Sequence, residues 1–185
     1  MHLADSLSAL ELSAVRAAGR IADVGAGAGF PGLALAAALP AAEVRLLEAT
    51  RRKCGVIARL AARAGLGDRA IAVPERAEDH ALASGGGYDL VTARAVASLA
   101  VLAEYAAPLL VDGGHLVAWK GRRSEDEERA AATAARQLGL EPVEVVRVTP
   151  YAGARDHHLH VMRKVAPTPQ RYPRRAGVAR KRPIA

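Results

Sequence analysis

Hydrophobic and polar positions follow two periodicities along this chain. Apolar residues at helical spacing fill stretches that end at proline or glycine, as in 31–40, 50–64 and 98–108. Five short β-prone runs separate them, at 20–24, 43–48, 69–73, 88–93 and 115–119. Strands that alternate with helices are typical of a mostly parallel α/β sheet. The pattern therefore predicts five such strands with helices between them.

The two ends of the chain extend this pattern. Residues 1–19 have apolar positions at helical spacing, which predicts one amphipathic helix that ends at Gly19. Ser124 and Glu127 form a capping box, which predicts a helix that closes at Gly139. The last two runs, 142–148 and 158–165, alternate in period two and are expected to form an antiparallel pair. The sum is a seven-stranded sheet with helices on both faces.

Ten residues from Asp23 to Gly32 follow the first strand and contain three alternate glycines before Phe30. Glycine removes the side chains that keep a ligand from the backbone, and the helix that follows offers unpaired N–H groups. This loop predicts a nucleotide-cofactor cradle. Dinucleotides and S-adenosylmethionine both use such a cradle, and Gly27, Gly29 and Gly32 match the dinucleotide spacing.

Two carboxylates near this loop bear on the choice of cofactor. Asp23 lies two residues before the first glycine, where a pyrophosphate gains nothing from it, whereas the ammonium and sulfonium of S-adenosylmethionine do. Glu48 ends the second strand, a position from which an acidic residue accepts hydrogen bonds from ribose hydroxyls. Its alternative role is a carboxylate at the start of the next helix. We therefore favour S-adenosylmethionine.

Positions after the later strands are expected at the same sheet edge. Residues 76–79 follow the third strand, where main-chain groups of a loop can read an adenine ring. Arg94 follows the fourth strand and is expected to bind a carboxylate or phosphate, with a solvated loop arginine as the alternative. His157, His158 and His160 lack a visible third partner, so we predict a polar strand face and no metal site.

Basic residues are concentrated at the C-terminal end. The net charge is +7, but eight Lys/Arg and no acidic residue lie from Arg163 onward, so the preceding 162 residues sum to about −1. Such an arm is expected to bind RNA phosphates while the core alone holds the cofactor. No run approaches the ~18 apolar residues of a membrane span, and no secretory pattern opens the chain. We expect a cytoplasmic protein without a membrane partner.

Four motifs together resemble the glucose-inhibited division protein B family of bacterial ribosomal RNA guanine-N7 methyltransferases. They are the 23–32 loop, Thr92-Ala93-Arg94-Ala95-Val96-Ala97-Ser98-Leu99, Trp119-Lys120-Gly121, and the Pro167-Thr168-Pro169…Tyr172-Pro173-Arg174-Arg175…Gly177 tail. The resemblance implies a Rossmann-like methyltransferase fold, with 16S ribosomal RNA or the small subunit as partner. Relatives are expected to have several dozen more helical residues before Met1, and commonly proline where Ala179 stands here.

The resemblance also assigns cofactor-binding roles. Gly25 and Phe30 would line the pocket from the first loop; Asp23 and Gly27 are added to the cofactor site from the charge and glycine arguments above. The remaining assignments are Glu48, Ala49 and Thr50 to the ribose, Ala77 and Glu78 to the adenine, and Arg94 to the methionine end. The expected organisation is an N-terminal helical segment (1–19), a methyltransferase domain (20–165) and a basic, proline-rich arm (166–185).

The chemistry implied by this resemblance needs few side chains. Guanine N7 carries a lone pair and no proton, so its attack on a sulfonium methyl requires no general base, and orientation supplies the acceleration. We therefore predict no catalytic acid or base. Two alternatives stay open: a non-catalytic RNA-binding or assembly protein with the same fold, and an NAD-linked oxidoreductase.

Overall fold

The computed structural model describes residues 2–184; Met1 and Ala185 lie outside the described residues. Its centre is one sheet of seven strands. They are β1 (Arg20–Val24), β2 (Glu43–Leu47), β3 (Ala70–Val73), β4 (Tyr88–Arg94), β5 (Leu110–Lys120), β6 (Leu140–Val148) and β7 (His157–Lys164). Their order is β3-β2-β1-β4-β5-β7-β6, and β1 to β5 are parallel. Strand β7 runs antiparallel to both β5 and β6. The predicted mostly parallel α/β sheet is confirmed.

Helices cover both faces of the sheet. They are α1 (His2–Leu7), α2 (Ser13–Arg16), α3 (Gly32–Ala38), α4 (Arg51–Arg63), α5 (Ala77–Ser84), α6 (Leu99–Ala106), α7 (Glu125–Leu138) and α8 (Val178–Lys181). The N-terminal segment, α3 and α4 contribute to one buried cluster, and α5 to α8 to the other. Because both faces are covered, four of the five residues of β1 and five of the seven residues of β4 are buried.

Successive side chains of a strand point to opposite faces of the sheet, so a single strand contributes residues to both buried clusters. Within β1, Ala22 and Val24 point into the cluster under α6, while Ile21 points into the cluster under α3. Asp23 shares the face of Ile21 and is fully buried there. A carboxylate therefore replaces an apolar side chain in the middle of this core, and its partners define the site described below.

The capping signals of α7 are confirmed, with one difference. The Ser124 hydroxyl accepts a hydrogen bond from the Glu127 N–H, and Gly139 closes the helix with a φ of 75°. The Glu127 carboxylate does not return to Ser124, as a capping box would require. It accepts hydrogen bonds from Lys120 Nζ at 2.7 Å and from the Leu99 N–H at 2.9 Å. Glu127 thus connects α7 to β5 and α6.

The prediction of one helix over residues 1–19 was wrong. The segment forms α1, a 3-10 turn (Ser8–Glu11) and α2, and the break lies at Leu12, whose backbone is extended. Leu12, at this break, and Val15, just after it, are buried in the core, while Leu3 stays exposed. Arg16 partly compensates for the break, because its guanidinium donates a hydrogen bond to the Glu11 carbonyl at 2.9 Å.

Two further elements differ from expectation. Residues 76–79, predicted as a loop, contain the start of α5, which begins at Ala77. Strand β5 begins at Leu110, five residues before the predicted run at 115–119, so Gly113 and Gly114 lie inside it beside an irregular register with β4. A Cβ at Gly114 would lie 3.0 Å from two carbonyl oxygens, which explains why the strand can tolerate only glycine there. Among residues 2–184, no helix is long and apolar enough to cross a membrane.

Two helical glycines offer a matched test of packing in the cluster under α3. A Cβ at Gly32 would lie 2.8 Å from both Asp23 Oδ2 and Leu46 Cδ2, whereas one at Gly55 in α4 would meet only the Arg59 guanidinium at 3.6 Å. We expect Gly32→Ala to lower the free energy of unfolding by about 2–3 kcal/mol. Gly55→Ala should raise it by about 0.5–1 kcal/mol. Urea denaturation measures both, and equal effects would contradict the packing described.

Candidate functional site

The candidate site lies where the direction of the chain across the sheet reverses. Strand β1 has β2 on one side and β4 on the other, so the loops after β1 and β4 diverge at the carboxyl edge. Such a divergence leaves the crevice in which open α/β sheets bind ligands. The glycine loop (25–31) borders this crevice on one side and residues 95–97 border it on the other.

Two carboxylates fix the glycine loop from opposite ends. Asp23 Oδ2 accepts a hydrogen bond from the Gly32 N–H at 2.9 Å, where α3 begins. Glu48, at the end of β2, accepts from the Gly27 N–H at 3.1 Å and, through its other oxygen, from the Thr50 N–H at 2.9 Å. Since glycines supply no side-chain contacts of their own, these bonds set the path of the loop.

The role expected for Asp23 is not the one that the structure gives it. Its carboxylate is fully buried, and its second oxygen accepts from the Thr92 hydroxyl at 2.9 Å, so neither oxygen faces a ligand. Burial raises the pKa of Asp23 to about 7, although the hydrogen bonds from Gly32 and Thr92 and the charge of Arg94 act in the opposite direction. Asp23 shapes the loop and does not meet a cofactor's ammonium directly.

A cavity of about 290 Å³, here called the first cavity, opens above the glycine loop. Five of the ten residues predicted to bind cofactor line it: Gly25, Glu48, Ala49, Ala77 and Glu78. They come from the ends of β1, β2 and β3, as the strand order requires. Gly25 has a φ of +68°, and a Cβ there would lie 2.7 Å from Val96 Cγ2, so glycine is needed for both reasons.

Gly27 and Thr50 do not line the first cavity, and they act on it through Glu48. Their N–H groups hold its carboxylate in place, and Glu48 is itself only 7% exposed. A Cβ at Gly27 would approach nothing in the chain closer than 3.7 Å, so packing within the chain does not require glycine there. Its φ of +59° is the remaining reason for glycine.

Glu78 lines the first cavity with its side chain already engaged. Oε1 accepts a hydrogen bond from the Gly177 N–H at 2.9 Å, across 99 residues of sequence. Ala77 and Glu78 are the first residues of α5, where backbone N–H groups have no partner within the helix. The start of α5 thus brings both backbone N–H groups and the partly engaged Glu78 carboxylate to the wall of the first cavity.

Arg94 lies in a second cavity, of about 580 Å³, next to the first. Its Nη1 donates to Asp5 Oδ2 at 3.0 Å, and its guanidinium lies 5.9 Å from the centroid of the Phe30 ring. The His2 ring stacks on Phe30 as well, 6.4 Å away. Arg94 is thus not a solvated loop residue, and the carboxylate it binds, through one nitrogen, belongs to α1. Phe30 lies beside Arg94 and does not line the first cavity.

Asp5 organises the second cavity, a role that was not among the predicted site assignments. In addition to Arg94 it meets His157 Nδ1 at 3.0 Å through Oδ1, while its carbonyl accepts from Trp119 Nε1 at 2.9 Å. These partners lie on β7 and β5, between 114 and 152 residues away. The N-terminal segment is therefore part of the site.

Ala95 connects the two cavities and lines both of them. It is also one of two non-glycine residues with positive φ, at 56°, among those the structure describes. Such a conformation is unfavourable for alanine and persists only where the surroundings impose it, which is frequent at functional sites. Sequence reasoning missed Ala95, because nothing in its residue type marks it.

The basic arm also contributes to the first cavity, although the core alone was expected from the sequence to hold the cofactor. Gly177 and Arg180 line the cavity beside Tyr105 of α6. The signal that was available is the glycine in the tail motif, whose φ of 82° leads into α8. From residue 2 to residue 184, no three His, Cys, Asp or Glu side chains are grouped to hold a metal ion.

Comparison with known proteins identifies the lineage of this site. The family model GidB, described as rRNA small subunit methyltransferase G, matches residues 1–159. The chain belongs to this family. Membership confirms the resemblance drawn from the sequence motifs and makes the chain a methyltransferase, which favours that reading over an oxidoreductase or a non-catalytic protein.

Individual relatives agree with the family model. The chain is 42% identical over 187 residues to the ribosomal RNA small subunit methyltransferase G of Rubrobacter xylanophilus. The alignment covers 99% of this chain and 72% of the relative. It is 38% identical to the protein of the same name from Alkaliphilus oremlandii, over 99% of this chain and 77% of the relative.

Solved structures with this fold are more distant in sequence. The mitomycin 7-O-methyltransferase MmcR aligns with a TM-score of 0.72 at 16% identity, over 88% of this chain and 54% of that one. This chain thus spans about half the length of that structure. Cofactor-bound Rv0187 from MTB aligns with a TM-score of 0.64 at 21% identity, over 88% and 80%. These alignments support the Rossmann-like fold.

Asp23→Asn tests the buried carboxylate through pH. Because the pKa is raised to about 7, the folded wild type binds an extra proton, so the stability this group contributes is present below about pH 4 and is lost as pH rises through 7. Asparagine keeps the acceptor for Gly32 and cannot ionise. Relative to wild type, the variant should therefore gain stability between about pH 4 and pH 7, by about 4 kcal/mol in total.

Denaturant unfolding at several pH values measures this difference. Asp112→Asn, at an exposed position in β5, is the matched control and should follow the wild-type profile. If the Asp23→Asn and wild-type profiles are parallel, the carboxylate does not titrate in the way its burial requires.

Proposed function

We propose that this chain transfers a methyl group from S-adenosylmethionine to N7 of a guanine in 16S ribosomal RNA. The observation that carries the proposal is the pair of joined cavities at the sheet edge, one beside the glycine loop and one beside Arg94. Family membership and the names of the relatives support the methyltransferase activity and a small-subunit ribosomal RNA substrate.

The residues of the first cavity have the chemistry that an adenosine group needs. Each Glu48 oxygen accepts one protein N–H and keeps a second lone pair, which suits two ribose hydroxyls. Gly25, Ala49 and Ala77 are small and leave the backbone accessible. We assign these residues and the Glu78 main chain to the cofactor, with Asp23, Gly27 and Thr50 acting through the loop and through Glu48.

The methionine end of the cofactor is assigned to the side where Ala95 connects the two cavities. Arg94 and Phe30 lie at this side, and the Asp5 carboxylate pairs with Arg94 at 3.0 Å. In this arrangement Arg94 is held by a protein carboxylate, and its remaining guanidinium N–H groups are the donors for a ligand carboxylate.

The second cavity has the features of a base site. Trp119, Tyr151 and His157 line it with aromatic surface, and Arg122 and Arg155 add positive charge at its border. A base that leaves its stack is typically held between aromatic side chains, while cations contact the neighbouring phosphates. S-adenosylmethionine, when bound, supplies an electrophilic methyl group, and Ala95 is the point of the chain that faces both ligands.

Nitrogen 7 of guanine needs no deprotonation before it is methylated, so the protein has no proton to remove. This agrees with the absence of an assigned catalytic acid or base, and it makes orientation the main contribution of the chain. The groups that orient are the walls of the second cavity for the base and Glu48 with the glycine loop for the cofactor. A ribosomal substrate also implies action in the cytoplasm, without a membrane or metal partner.

A methyl-transfer assay tests the proposal directly. Purified protein with S-adenosylmethionine carrying a labelled methyl group should label 16S ribosomal RNA or the small subunit and leave 23S ribosomal RNA unlabelled. Chemical cleavage at N7-methylguanine then locates the base. Binding of both cofactor and RNA without transfer would favour the assembly-protein alternative, and binding of NADH in place of S-adenosylmethionine would favour the oxidoreductase.

Glu48→Gln tests the cofactor assignment. Both Glu48 oxygens accept hydrogen bonds from backbone N–H groups. In glutamine one of these oxygens becomes an NH₂ group, which would face a backbone N–H donor and could not accept a hydrogen bond from the ribose. We expect the Kd for S-adenosylmethionine to rise at least about tenfold, since losing such a bond costs about 1.5–3 kcal/mol. Titration calorimetry measures the Kd. Glu43→Gln, at the exposed start of β2, is the control and should bind like wild type.

A further inference from the structure

The arm from residue 166 to residue 184 is attached to the core by a buried ion pair. Glu104, on α6, has a side chain only 1% exposed, and Arg174 of the arm meets it with two nitrogens. Nε donates to Oε1 at 2.7 Å, and Nη2 donates to Oε2. A paired carboxylate of this kind is strongly unfavourable when its partner leaves, because a buried charge remains uncompensated. The pair therefore favours the docked arm.

Two other contacts set the arm against the first cavity. The Gly177 N–H donates to the Glu78 carboxylate, which joins the arm to the start of α5. Ala179 and Ile184 are buried in the cluster that contains α6. Between these contacts, Gly177 and Arg180 form part of the cavity wall. The wall next to them, Glu75 to Glu78, is the one assigned above to the adenine.

From these contacts we infer that the docked arm is the adenine-side wall of the cofactor site, with Arg180 as a cofactor contact and Glu104 and Arg174 as positioning residues. The inference rests on the proposed function and adds to it the dependence of cofactor affinity on the arm. The Arg180 guanidinium is planar and cationic, which suits stacking on a purine ring. Arg180 is otherwise exposed, so the packing of the arm depends little on its side chain.

The arm thus has an inner and an outer set of cations. Arg174 binds Glu104 and Arg180 lines the cavity, whereas Lys181 and Arg182 are exposed. Arg171 lies over the Tyr172 ring, 5.2 Å from its centroid. Only some of the six basic residues of the arm are therefore free to meet RNA phosphates.

Arg180→Ala tests the contact without disturbing the packing of the arm. We expect the Kd for S-adenosylmethionine, measured by calorimetry without RNA, to rise at least about fivefold, in the range of a cation–aromatic contact. Arg175→Ala removes an equally exposed cation that does not line the cavity, and its Kd should stay within twofold of wild type. An unchanged Kd in Arg180→Ala overturns the contact.

Glu104→Gln tests the attachment of the arm. The variant loses the charge that holds Arg174, so we expect faster tryptic cleavage after Arg174 and Arg175 and a Kd for S-adenosylmethionine raised at least about tenfold. Glu128→Gln is the control. It removes the bidentate ion pair between Glu128 of α7 and Arg123, and it should change neither the rate of tryptic cleavage nor the Kd. Equal protease resistance and equal Kd in Glu104→Gln and wild type overturn the attachment.

Two further readouts separate the possible failures. Thermal melting shows whether Glu104→Gln is folded at the temperature of the titration; if it is not, Arg180→Ala alone decides the inference. Wild-type protein that fails to bind S-adenosylmethionine would overturn the proposed function. Wild-type protein that binds it, with Arg180→Ala and Glu104→Gln binding equally well, would overturn only the role of the arm.

Discussion

The candidate site depends on hydrogen bonds between a glycine-rich backbone and two acidic side chains, Asp23 and Glu48. Glycines leave space for a ligand, but they also allow many conformations, and a loop of this composition is costly to order. The N–H groups of Gly27 and Gly32 donate to the carboxylates of Glu48 and Asp23 at 3.1 and 2.9 Å. Open space and a fixed backbone are thereby combined in one loop.

The alternation of strands and helices could be predicted from the sequence because it is a local signal. Each strand of the parallel sheet is a short apolar run, and each helix ends near a glycine or proline. The N-terminal segment and α5 were misjudged because their shapes depend on distant contacts. Asp5, for example, pairs with Arg94 across 89 residues and with His157 across 152, and no local periodicity carries that information.

The positions of the site residues were easier to predict than their roles. Strand order places Gly25, Glu48 and Ala77 at one cavity, as expected for the ends of adjacent parallel strands. The sequence does not specify which way a carboxylate turns. Asp23 turns inward to Thr92, and Glu78 turns toward Gly177, because each finds an N–H or O–H donor there that would otherwise be buried without a partner.

The contribution of Gly177 and Arg180 to the first cavity has a consequence for biosynthesis. Domains begin to fold from the N-terminal side while the ribosome is still adding residues. Strands β1 to β7 are complete once Lys164 has emerged, yet the cavity then lacks the wall that residues 166–184 supply. A nascent chain can thus form its sheet before the first cavity is enclosed, and a ligand that needs the whole wall, as proposed here for the cofactor, would stabilise only a chain that has left the exit tunnel far enough to dock its arm.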